Sequence, residues 1–270
     1  MTLLIVLKWI SKGKEGVVMS SDSKVTIGPI SYETRKVYPI LLRVDEKNVP
    51  LAIVGGAGDA SLIKQGYRIC ESVLRNLAVK EWNKMTPSFE QFEEAVKQIE
   101  SILIPRFREL REQGLDLSFS MVLASVDHTG KASIYLFDER GLAQPMHDNS
   151  GFAIIGTGFF TGGNMLLRLL GYEPEESYML DIGALSTFII DVVSEIDPAV
   201  GSFVGESYYM RAGEEGVLLG PLTEEAIKEY KEKAKQRKEI IRRIWRILDT
   251  TGEQKILEKI EELEGEHRKE

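Results

Sequence analysis

Cysteine and histidine are scarce in this sequence, and their scarcity excludes several kinds of site. The single cysteine, Cys70, cannot form a disulfide within the chain, and its helical surroundings indicate an inert core thiol. His128, His147 and His267 stand far apart without ligand spacing, so neither a zinc site nor a serine-type triad has support. We therefore expect no metal and no cofactor.

A long apolar run is missing as well. The N-terminal run over residues 3–7 is short, Lys8 interrupts it, and no small-residue cleavage site follows, so it is typical of a strand rather than a signal peptide. No other apolar run is long enough to span a membrane. Together with the lone cysteine, which suits a reducing compartment, these absences predict a soluble, cytoplasmic protein with no membrane partner.

An excess of basic charge is also absent. The 34 Lys and Arg residues are outnumbered by 42 Asp and Glu residues, and the net charge of -8 argues against a general nucleic-acid binder. Otherwise the chain has the composition of an ordinary globular protein. With 270 residues, of which 43% are hydrophobic, it is long enough to bury a substantial core.

Hydrophobic periodicity predicts strands followed by two helices in the first half of the chain. The expected strands cover residues 3–10, 16–21, 38–44 and 51–54, the first two joined by a polar connection of hairpin length. The last strand leads into Gly55–Gly58, and a helix over 59–80 follows with its N-cap at Asp59. A second helix is expected over 88–113, with a kink at Pro105.

The second half repeats this order. Strands are expected at 117–126, 131–138, 142–147, 152–155, 205–211 and 216–219, and helices at 159–170 and 178–196. Two sheets and two separate pairs of helices predict an α+β protein, a four-layer αββα sandwich with the helices outside. Regular β-α-β alternation is absent and Gly55–Gly58 lacks the spacing of a dinucleotide-binding loop, which argues against a doubly wound sheet.

The composition changes after Pro221. A charged helix is expected over 223–248, with apolar residues at steps of three and four, and Gly252 separates it from a second amphipathic helix. We interpret the chain as a domain over 1–220 and a helical hairpin over 221–270, docked on the body or on another subunit. Glu residues are interleaved with the Lys residues of the first helix, which favours a solvated face over a nucleic-acid patch.

Thr2 is the first candidate for chemistry. A small residue in second position is one from which initiator methionine is normally removed, and removal would leave a hydroxyl and an α-amine on one residue. This is the N-terminal threonine arrangement, in which the amine serves as the base for its own hydroxyl. A threonine in second position has no such role in most proteins, so the hypothesis depends on the residues downstream.

Five elements downstream of Thr2 occur in a fixed order. They are Asp22-Ser23-Lys24-Val25-Thr26, Lys36, Val54-Gly55-Gly56-Ala57-Gly58-Asp59, Gly156-Thr157-Gly158 and Asp197-Pro198-Ala199-Val200-Gly201, with Thr2 at their head. In this order and spacing, over roughly residues 2–205, the chain resembles the proteasome β-subunit family of N-terminal nucleophile hydrolases. Each element alone is weak, but the combination is fairly specific.

The resemblance has three departures. Val200 stands where the family has a serine, which puts the proton relay in doubt, although Ser202 could substitute. The connection between the first two strands is longer than usual, and the helices after Pro221 have no counterpart in an ordinary β-subunit. A divergent prokaryotic or archaeal relative is therefore expected rather than a standard proteasome subunit.

The resemblance implies a role for each matched residue. Thr2 would be the nucleophile, and its α-amine, with an ordinary pKa of about 7.7–8.0, would be the base. Lys36 would lower that pKa further, and Asp22 would hold Lys36 protonated and oriented. The backbone N–H of Gly55 would stabilise the oxyanion. Thr157 and Asp197 would complete the catalytic set, and the pocket for the substrate side chain would be lined by Val25, Thr34, Ile53 and Ala57.

Each of these residues also has an ordinary structural interpretation. Asp22 could be a turn residue, Lys36 a surface lysine, and Gly55 a position of close packing between strand and helix. Thr157 could be a turn residue and Asp197 a partner in a helix C-terminal cap. Only their joint occurrence in order behind Thr2 favours catalysis.

The implied activity is cleavage of a peptide bond through an acyl ester on Thr2, with a peptide or protein as substrate. The same ester can be resolved by an amine, so a peptide ligase or transpeptidase, as in some archaeal proteasome relatives, is the enzymatic alternative. A catalytically silent scaffold is the alternative from another class, and Val200 favours it. The family also implies a homo-oligomer, formed through the core, the C-terminal helices or both.

Overall fold

The chain folds as an α+β protein with two five-stranded antiparallel sheets and a separate two-stranded hairpin. The computed structural model describes residues 2–27, 30–148, 150–175, 181–201, 204–251 and 253–267. The strands in chain order are β1 (Leu4–Ser11), β2 (Lys14–Asp22), β3 (Lys24–Ile27), β4 (Ile30–Glu33), β5 (Val37–Val44), β6 (Lys47–Gly58), β7 (Phe119–Val126), β8 (Ala132–Phe137), β9 (Ala143–Pro145), β10 (Phe152–Ile155), β11 (Val204–Ala212) and β12 (Val217–Pro221).

Neighbouring strands in each sheet are antiparallel. Sheet I has the order β10-β1-β2-β11-β12, and sheet II has the order β5-β6-β7-β8-β9. Leu4 lies opposite Ser21 of β2 on one side and opposite Ile155 of β10 on the other. The strand that follows Thr2 is therefore held from both sides, which fixes the position of the N-terminal segment.

The helices are α1 (Ala60–Lys80), α2 (Phe89–Glu112), α3 (Asn164–Leu169), α4 (Ile182–Ile196), α5 (Glu224–Thr251) and α6 (Glu253–His267), with a π-helical turn (Phe159–Gly163) leading into α3. The first residues of α1 and α2 are set by side chains that cap these helices. The Asp59 carboxylate accepts hydrogen bonds from the Ser61 and Leu62 amides, and Ser88 forms a capping box with Gln91. The second helix continues through Pro105.

Alternation along β1 assigns its side chains to two different cores. Leu4 and Val6 belong to the cluster between the two sheets, where Ile53 and Val122 of sheet II also lie. Leu3, Ile5 and Leu7 point the other way, into a cluster with Phe188 and Ile189 of α4. A third cluster joins the outer face of sheet II to α1 and α2. The layers therefore run helices, sheet II, sheet I, helices, and the α+β class predicted from the sequence is confirmed.

The first half of α5 packs on the body of the protein. Ala234 is buried in the cluster of α4, and the Tyr230 ring leaves no room for a side chain at Gly183. The Lys238 ammonium contacts the carboxylates of Asp191 and Glu195 at 2.5 Å each. These contacts run in the same direction along both helices, so α5 lies parallel to α4.

Three local expectations differ from the structure. The strand expected to end at residue 54 continues through Gly58, because Gly55–Gly58 pair with β7 instead of forming a loop. The β3–β4 hairpin was missed, because its short strands carry polar residues that were interpreted as a turn. The helix expected from 178 begins at Ile182, and residues 178–180 lie outside the described part of the chain.

Two helices follow Pro221, as the sequence predicts. Among their described side chains, Ile241 and Ile244 of α5 and Leu257 and Ile260 of α6 are exposed, so the predicted amphipathic pattern leaves apolar side chains open to solvent. Gly252, which was expected to separate the two helices, lies outside the described residues.

Within the ranges that the structure describes, none of the helices combines the length and the apolar character needed to cross a bilayer.

Candidate active site

Asp22 is the centre of a buried polar cluster beside the N-terminal segment. Its Oδ1 accepts hydrogen bonds from the Leu3 amide at 2.9 Å and from the Lys36 ammonium at 2.8 Å. Its Oδ2 accepts from the backbone amides of Lys24 at 3.1 Å and Gly201 at 2.9 Å. The carboxylate has no exposed surface and its acceptor sites are filled, so its orientation is fixed from four directions.

Lys36 forms a buried ion pair with Asp22. Its ammonium also donates to the Lys24 carbonyl at 2.5 Å, and the residue is only 6% exposed. Burial lowers the pKa of the Lys36 ammonium below its ordinary value, and the attraction of Asp22 and their hydrogen bond oppose this shift. The ammonium lies within two hydrogen-bond lengths of the Leu3 amide, because both donate to the same oxygen. The expected partnership of Asp22 and Lys36 is present.

Thr2 is buried, and its backbone is held on the side away from Asp22. The Gly158 amide donates to the Thr2 carbonyl at 3.2 Å. A Cβ at Gly156 would lie 2.1 Å from the same oxygen, and Gly156 has a φ of +92°, so only glycine fits there. The Thr2-Leu3 peptide is therefore clamped between the Gly156–Gly158 segment and the Asp22 carboxylate.

Gly55 brings the two sheets together at the site. A Cβ at this position would lie 2.3 Å from Leu4 Cδ1 and 3.2 Å from the Lys36 carbonyl. Gly55 is opposite Val37, the first residue of β5, and so lies at the end of the β5–β6 ladder. The glycine permits β6 to approach both the strand that follows Thr2 and the segment that carries Lys36 closely.

Thr157 and Asp197 lie near the cluster but are not hydrogen-bonded to each other. The Thr157 hydroxyl is buried and has no hydrogen-bond partner among the described residues. Asp197, the C-cap of α4, accepts instead from the Thr161 hydroxyl at 3.1 Å and from the Ala199 amide at 2.9 Å. The Thr161 hydroxyl also donates a hydrogen bond to the Thr157 carbonyl at 3.4 Å. Thr161, which lies in the π-helical turn, therefore contacts both candidate residues.

Val200 is buried in the apolar cluster of α4 and offers no polar group to the site. The serine that could substitute for it, Ser202, lies outside the described residues. The neighbouring loop is nevertheless tied to the cluster, because the Lys24 ammonium donates to the Pro198 carbonyl at 2.5 Å. The segment after α4 therefore contributes its backbone, through Gly201, rather than a hydroxyl at position 200.

Of the four residues expected to line a substrate pocket, the three whose side chains are described do not share one surface. Thr34 is exposed, whereas Ile53 has no exposed surface and lies in the core between the sheets. Ala57 is buried in the same core, near the end of β6. The side chain of Val25 lies outside the described part of the chain. Ile53 is therefore enclosed by its neighbours in both sheets.

Sequence reasoning gave no role to three contributors to the cluster, Lys24, Thr161 and Gly201, although Lys24 and Gly201 lie inside the matched elements. Lys24 and Gly201 act mainly through backbone groups, which leave no mark on side-chain patterns. Thr161 lies in an irregular helical turn that includes Gly162 at a φ of +136°. The Gly162-Gly163 pair directly after Thr161 was the one available signal of that irregularity.

Among the described residues, no group of three or more His, Cys, Asp or Glu side chains is placed to hold a metal ion. The polar groups that converge near Thr2 are instead a carboxylate, an ammonium, hydroxyls and backbone amides. These groups are suited to orienting a nucleophile and moving a proton. In comparison with known proteins, neither a family model nor a curated protein sequence matches this chain.

Proposed function

We propose that this protein is a threonine-type N-terminal nucleophile hydrolase that cleaves a peptide bond through an acyl ester on Thr2 after Met1 has been removed. The observation that carries the proposal is the buried Asp22–Lys36 ion pair, hydrogen-bonded to the residue next to Thr2. The α+β architecture and the order of the matched elements support it. The four-layer fold of N-terminal nucleophile hydrolases is part of the proposal.

A buried ion pair is often less stabilising to a folded protein than well-packed apolar residues would be. Removing two charges from water costs several kcal/mol per ion, and apolar residues of similar volume often stabilise a core better. Asp22 and Lys36 are nevertheless buried together, with backbone donors filling the other acceptor sites of the carboxylate. Such clusters occur preferentially at functional sites, because they place a fixed charge where a reaction needs it. Here that charge lies beside the peptide of Thr2.

The proposed reaction has two steps, acylation of Thr2 and hydrolysis of the resulting ester. The Thr2 oxygen attacks the carbonyl carbon of the substrate, and the hydroxyl proton passes to the α-amine of Thr2. The C–N bond then breaks, and the leaving amine takes up that proton. This leaves an ester between the substrate acyl group and Thr2. Water attacks the ester, releases the acid and returns the hydrogen to the threonine oxygen.

Lys36 and Asp22 serve this step without exchanging protons with the substrate. The ammonium lowers the pKa of the nearby α-amine, which keeps the amine unprotonated and able to accept the hydroxyl proton near neutral pH. Asp22 holds the ammonium in place. The N–H of Gly55, at the end of its ladder, is the proposed donor to the oxyanion. Thr157 and Asp197 are proposed to orient the amine, with the unpaired Thr157 hydroxyl available to it.

The test is an intact-mass measurement with an epoxyketone, an inhibitor that reacts with both the hydroxyl and the free amine of an N-terminal threonine. We expect a mass that lacks Met1 and gains one adduct, mapped to Thr2 and absent in Thr2→Ala. Thr2→Ser, which keeps a hydroxyl, is expected to react, and Lys36→Met to react far more slowly. A chain that loses Met1 and stays unmodified would contradict the proposal.

Hydrolysis and transpeptidation proceed through the same ester, so an experiment has to separate them. Peptides incubated with the protein are analysed by mass spectrometry with and without an added acceptor peptide. Hydrolysis gives two fragments in both cases. A ligase or transpeptidase gives a joined product only when the acceptor is present. A homo-oligomeric state and a cytoplasmic location belong to the same proposal and are tested separately.

A catalytically silent scaffold is the second candidate, and the environment of Val200 favours it. The family serine at this position would add a hydroxyl to the site, whereas Val200 packs in an apolar core. The Asp197 carboxylate accepts a hydrogen bond from the Thr161 hydroxyl, whereas the Thr157 hydroxyl has no partner among the described residues. If protein that lacks Met1 does not react with the epoxyketone, that result supports the scaffold interpretation.

A further inference from the structure

Large apolar side chains are exposed beside the segment that holds Thr2. Phe160 and Met165 are 86% and 71% exposed, and Phe159, Leu169 and Ile196 are exposed as well. The rings of Phe159 and Phe160 contact each other edge to face, with their centroids 5.1 Å apart. We call these five residues the apolar rim. Contiguous apolar patches on a protein surface often mark binding sites.

The apolar rim is attached to the candidate site through the backbone. The Gly158 amide donates to the Thr2 carbonyl, and the Phe159 amide donates to the Gly156 carbonyl. Because consecutive Cα atoms are about 3.8 Å apart, the Cα of Phe160 lies within about 8 Å of that of Gly158. An extended residue spans about 3.3 Å, so a chain bound at Thr2 reaches the rim within about four residues.

The two parts of the apolar rim are held together by the π-helical turn. Met165 and Leu169 are four residues apart and share one face of α3. Ile196 is the last residue of α4, and the carboxylate of the next residue, Asp197, accepts the hydrogen bond from Thr161 in the turn. The turn that contacts the candidate site therefore also fixes the rim.

The size of the apolar rim fits a peptide better than a second copy of the protein. At about 150–200 Å² for each fully exposed large side chain, the exposed fractions of its residues correspond to roughly 500–700 Å². A standard stable interface needs about 800 Å² from each partner, whereas functional patches on monomers are commonly about 300–600 Å². An extended segment of a few residues can cover a patch of this size.

The segment that carries most of the apolar rim has almost no charge. Residues 156–171 contain one charged side chain, Arg168, whose guanidinium lies 5.1 Å from the centroid of the Phe152 ring. Attraction to an anionic membrane surface depends on several basic side chains, which this segment lacks. The surface is therefore suited to uncharged apolar side chains.

We propose that the apolar rim is a docking surface for the polypeptide substrate and selects chains with large apolar side chains within about four residues of the bond that Thr2 attacks. The rim acts in addition to any pocket for the side chain at the cleaved bond. Because the occupant is the substrate of Thr2, this proposal rests on the proposed function. Phe160 and Met165 bind the substrate and take no part in the chemical step.

Fluorescence anisotropy tests the docking surface with a short labelled peptide that has Phe at every third position among Ser, Gly and Gln. The control peptide has Ser in place of each Phe. Binding is measured on Thr2→Ala, which leaves the peptide uncleaved. We expect the Phe peptide to bind at least about 10-fold more tightly than the control peptide, and Phe160→Ser or Met165→Ser to weaken its binding about 10-fold. Met85→Ser is the matched control variant, because Met85 is 60% exposed outside the rim, and we expect it to leave binding unchanged.

Protection of Thr2 in the wild-type chain tests whether the occupant is a substrate. We expect the Phe peptide to slow formation of the epoxyketone adduct, because a peptide bound on the rim extends over Thr2. Phe160→Ser is expected to remove this protection and to leave the adduct rate without peptide unchanged.

Four results would overturn the docking surface. They are equal binding of the two peptides, undiminished binding in Phe160→Ser, an equal loss in Met85→Ser, and a bound peptide that leaves the labelling of Thr2 unchanged. A dimer by light scattering that Phe160→Ser dissociates would assign the rim to a second copy and would also overturn it. A wild-type chain that forms no adduct without peptide refutes the proposed function, whereas a normal adduct rate with equal binding of the two peptides refutes the docking surface alone.

Discussion

Replacement of Asp22 by asparagine tests whether the buried ion pair has the energetics described above. Asparagine keeps the shape of the side chain but converts one acceptor oxygen into a donor. Each carboxylate oxygen of Asp22 accepts two hydrogen bonds, so two donors lose their partner whichever way the amide turns. Lys36 also loses its counter-ion in a site where it is 6% exposed. Removal of one partner from a buried pair costs about 3–5 kcal/mol, and we expect Asp22→Asn to lie in that range at pH 7.

The second variant, Asp22→Asn with Lys36→Met, separates the charge from the packing. Methionine removes the buried cation and keeps an unbranched apolar side chain of similar length. We therefore expect the double variant to recover most of the lost stability, to within about 2 kcal/mol of the wild type. Neither variant is expected to form the epoxyketone adduct at a normal rate.

The pH dependence gives an independent check, with its sign fixed by the pKa of Lys36. That pKa is lowered in the folded protein by burial, and the attraction of Asp22 limits the shift. Without Asp22 the folded-state pKa falls further, so the unfolded chain binds more protons than the folded one over a wider range below 10.5. The stability of Asp22→Asn therefore rises more with pH than that of the wild type. The difference in the free energy of unfolding between Asp22→Asn and the wild type therefore becomes smaller from pH 7 to pH 10.

Equilibrium unfolding in guanidinium chloride at pH 7 and pH 10 measures these free energies. The reasoning is refuted if Asp22→Asn costs less than about 1 kcal/mol at pH 7, or if the double variant is as unstable as the single one. A loss that is equal at both pH values would show that the charge of Lys36 has no part in it.

Two further predictions concern the segments that enclose Thr2. Gly156→Ala places a Cβ against the Thr2 carbonyl, so we expect a larger fall in melting temperature than for Gly13→Ala, which has a similar positive φ but no neighbour within 4 Å. Gly156→Ala should also slow adduct formation, whereas Gly13→Ala should not. Thr161→Val removes the hydroxyl that binds Asp197 and is expected to lower kcat about 10-fold or more with little change in KM, while Thr161→Ser restores it. An equal loss in both Thr161 variants would indicate a steric role.

The order of the elements could be predicted from the sequence because it depends on local patterns. Two-residue alternation marked the strands, and capping residues marked two helix starts within one residue of Ala60 and Phe89. The β3–β4 hairpin and the strand through Gly55–Gly58 were missed, since glycine and polar residues are usually turn signals. There, pairing with neighbouring strands decides the backbone conformation against local preference.

The candidate site was predictable only in part, for the same reason. The resemblance identified Asp22 and Lys36, and the structure joins them. It did not reveal Thr161 as the partner of Asp197, because that contact depends on a π-helical turn and on the course of the chain after α4. It also gave no sign that Ile53 is fully buried, which follows from the packing of one sheet on the other.

The sequence by itself determined most of the strands and helices and the amphipathic character of the C-terminal helices, and it pointed to the candidate residues around Thr2. Periodicity, capping and composition act over a few residues, so they can be interpreted without coordinates. Only the tertiary structure decided that Leu3, Asp22, Lys36 and Gly201 meet in one hydrogen-bonded cluster, and that Ile53 is enclosed between the two sheets. Those outcomes depend on contacts between residues far apart in the chain, which no local pattern encodes.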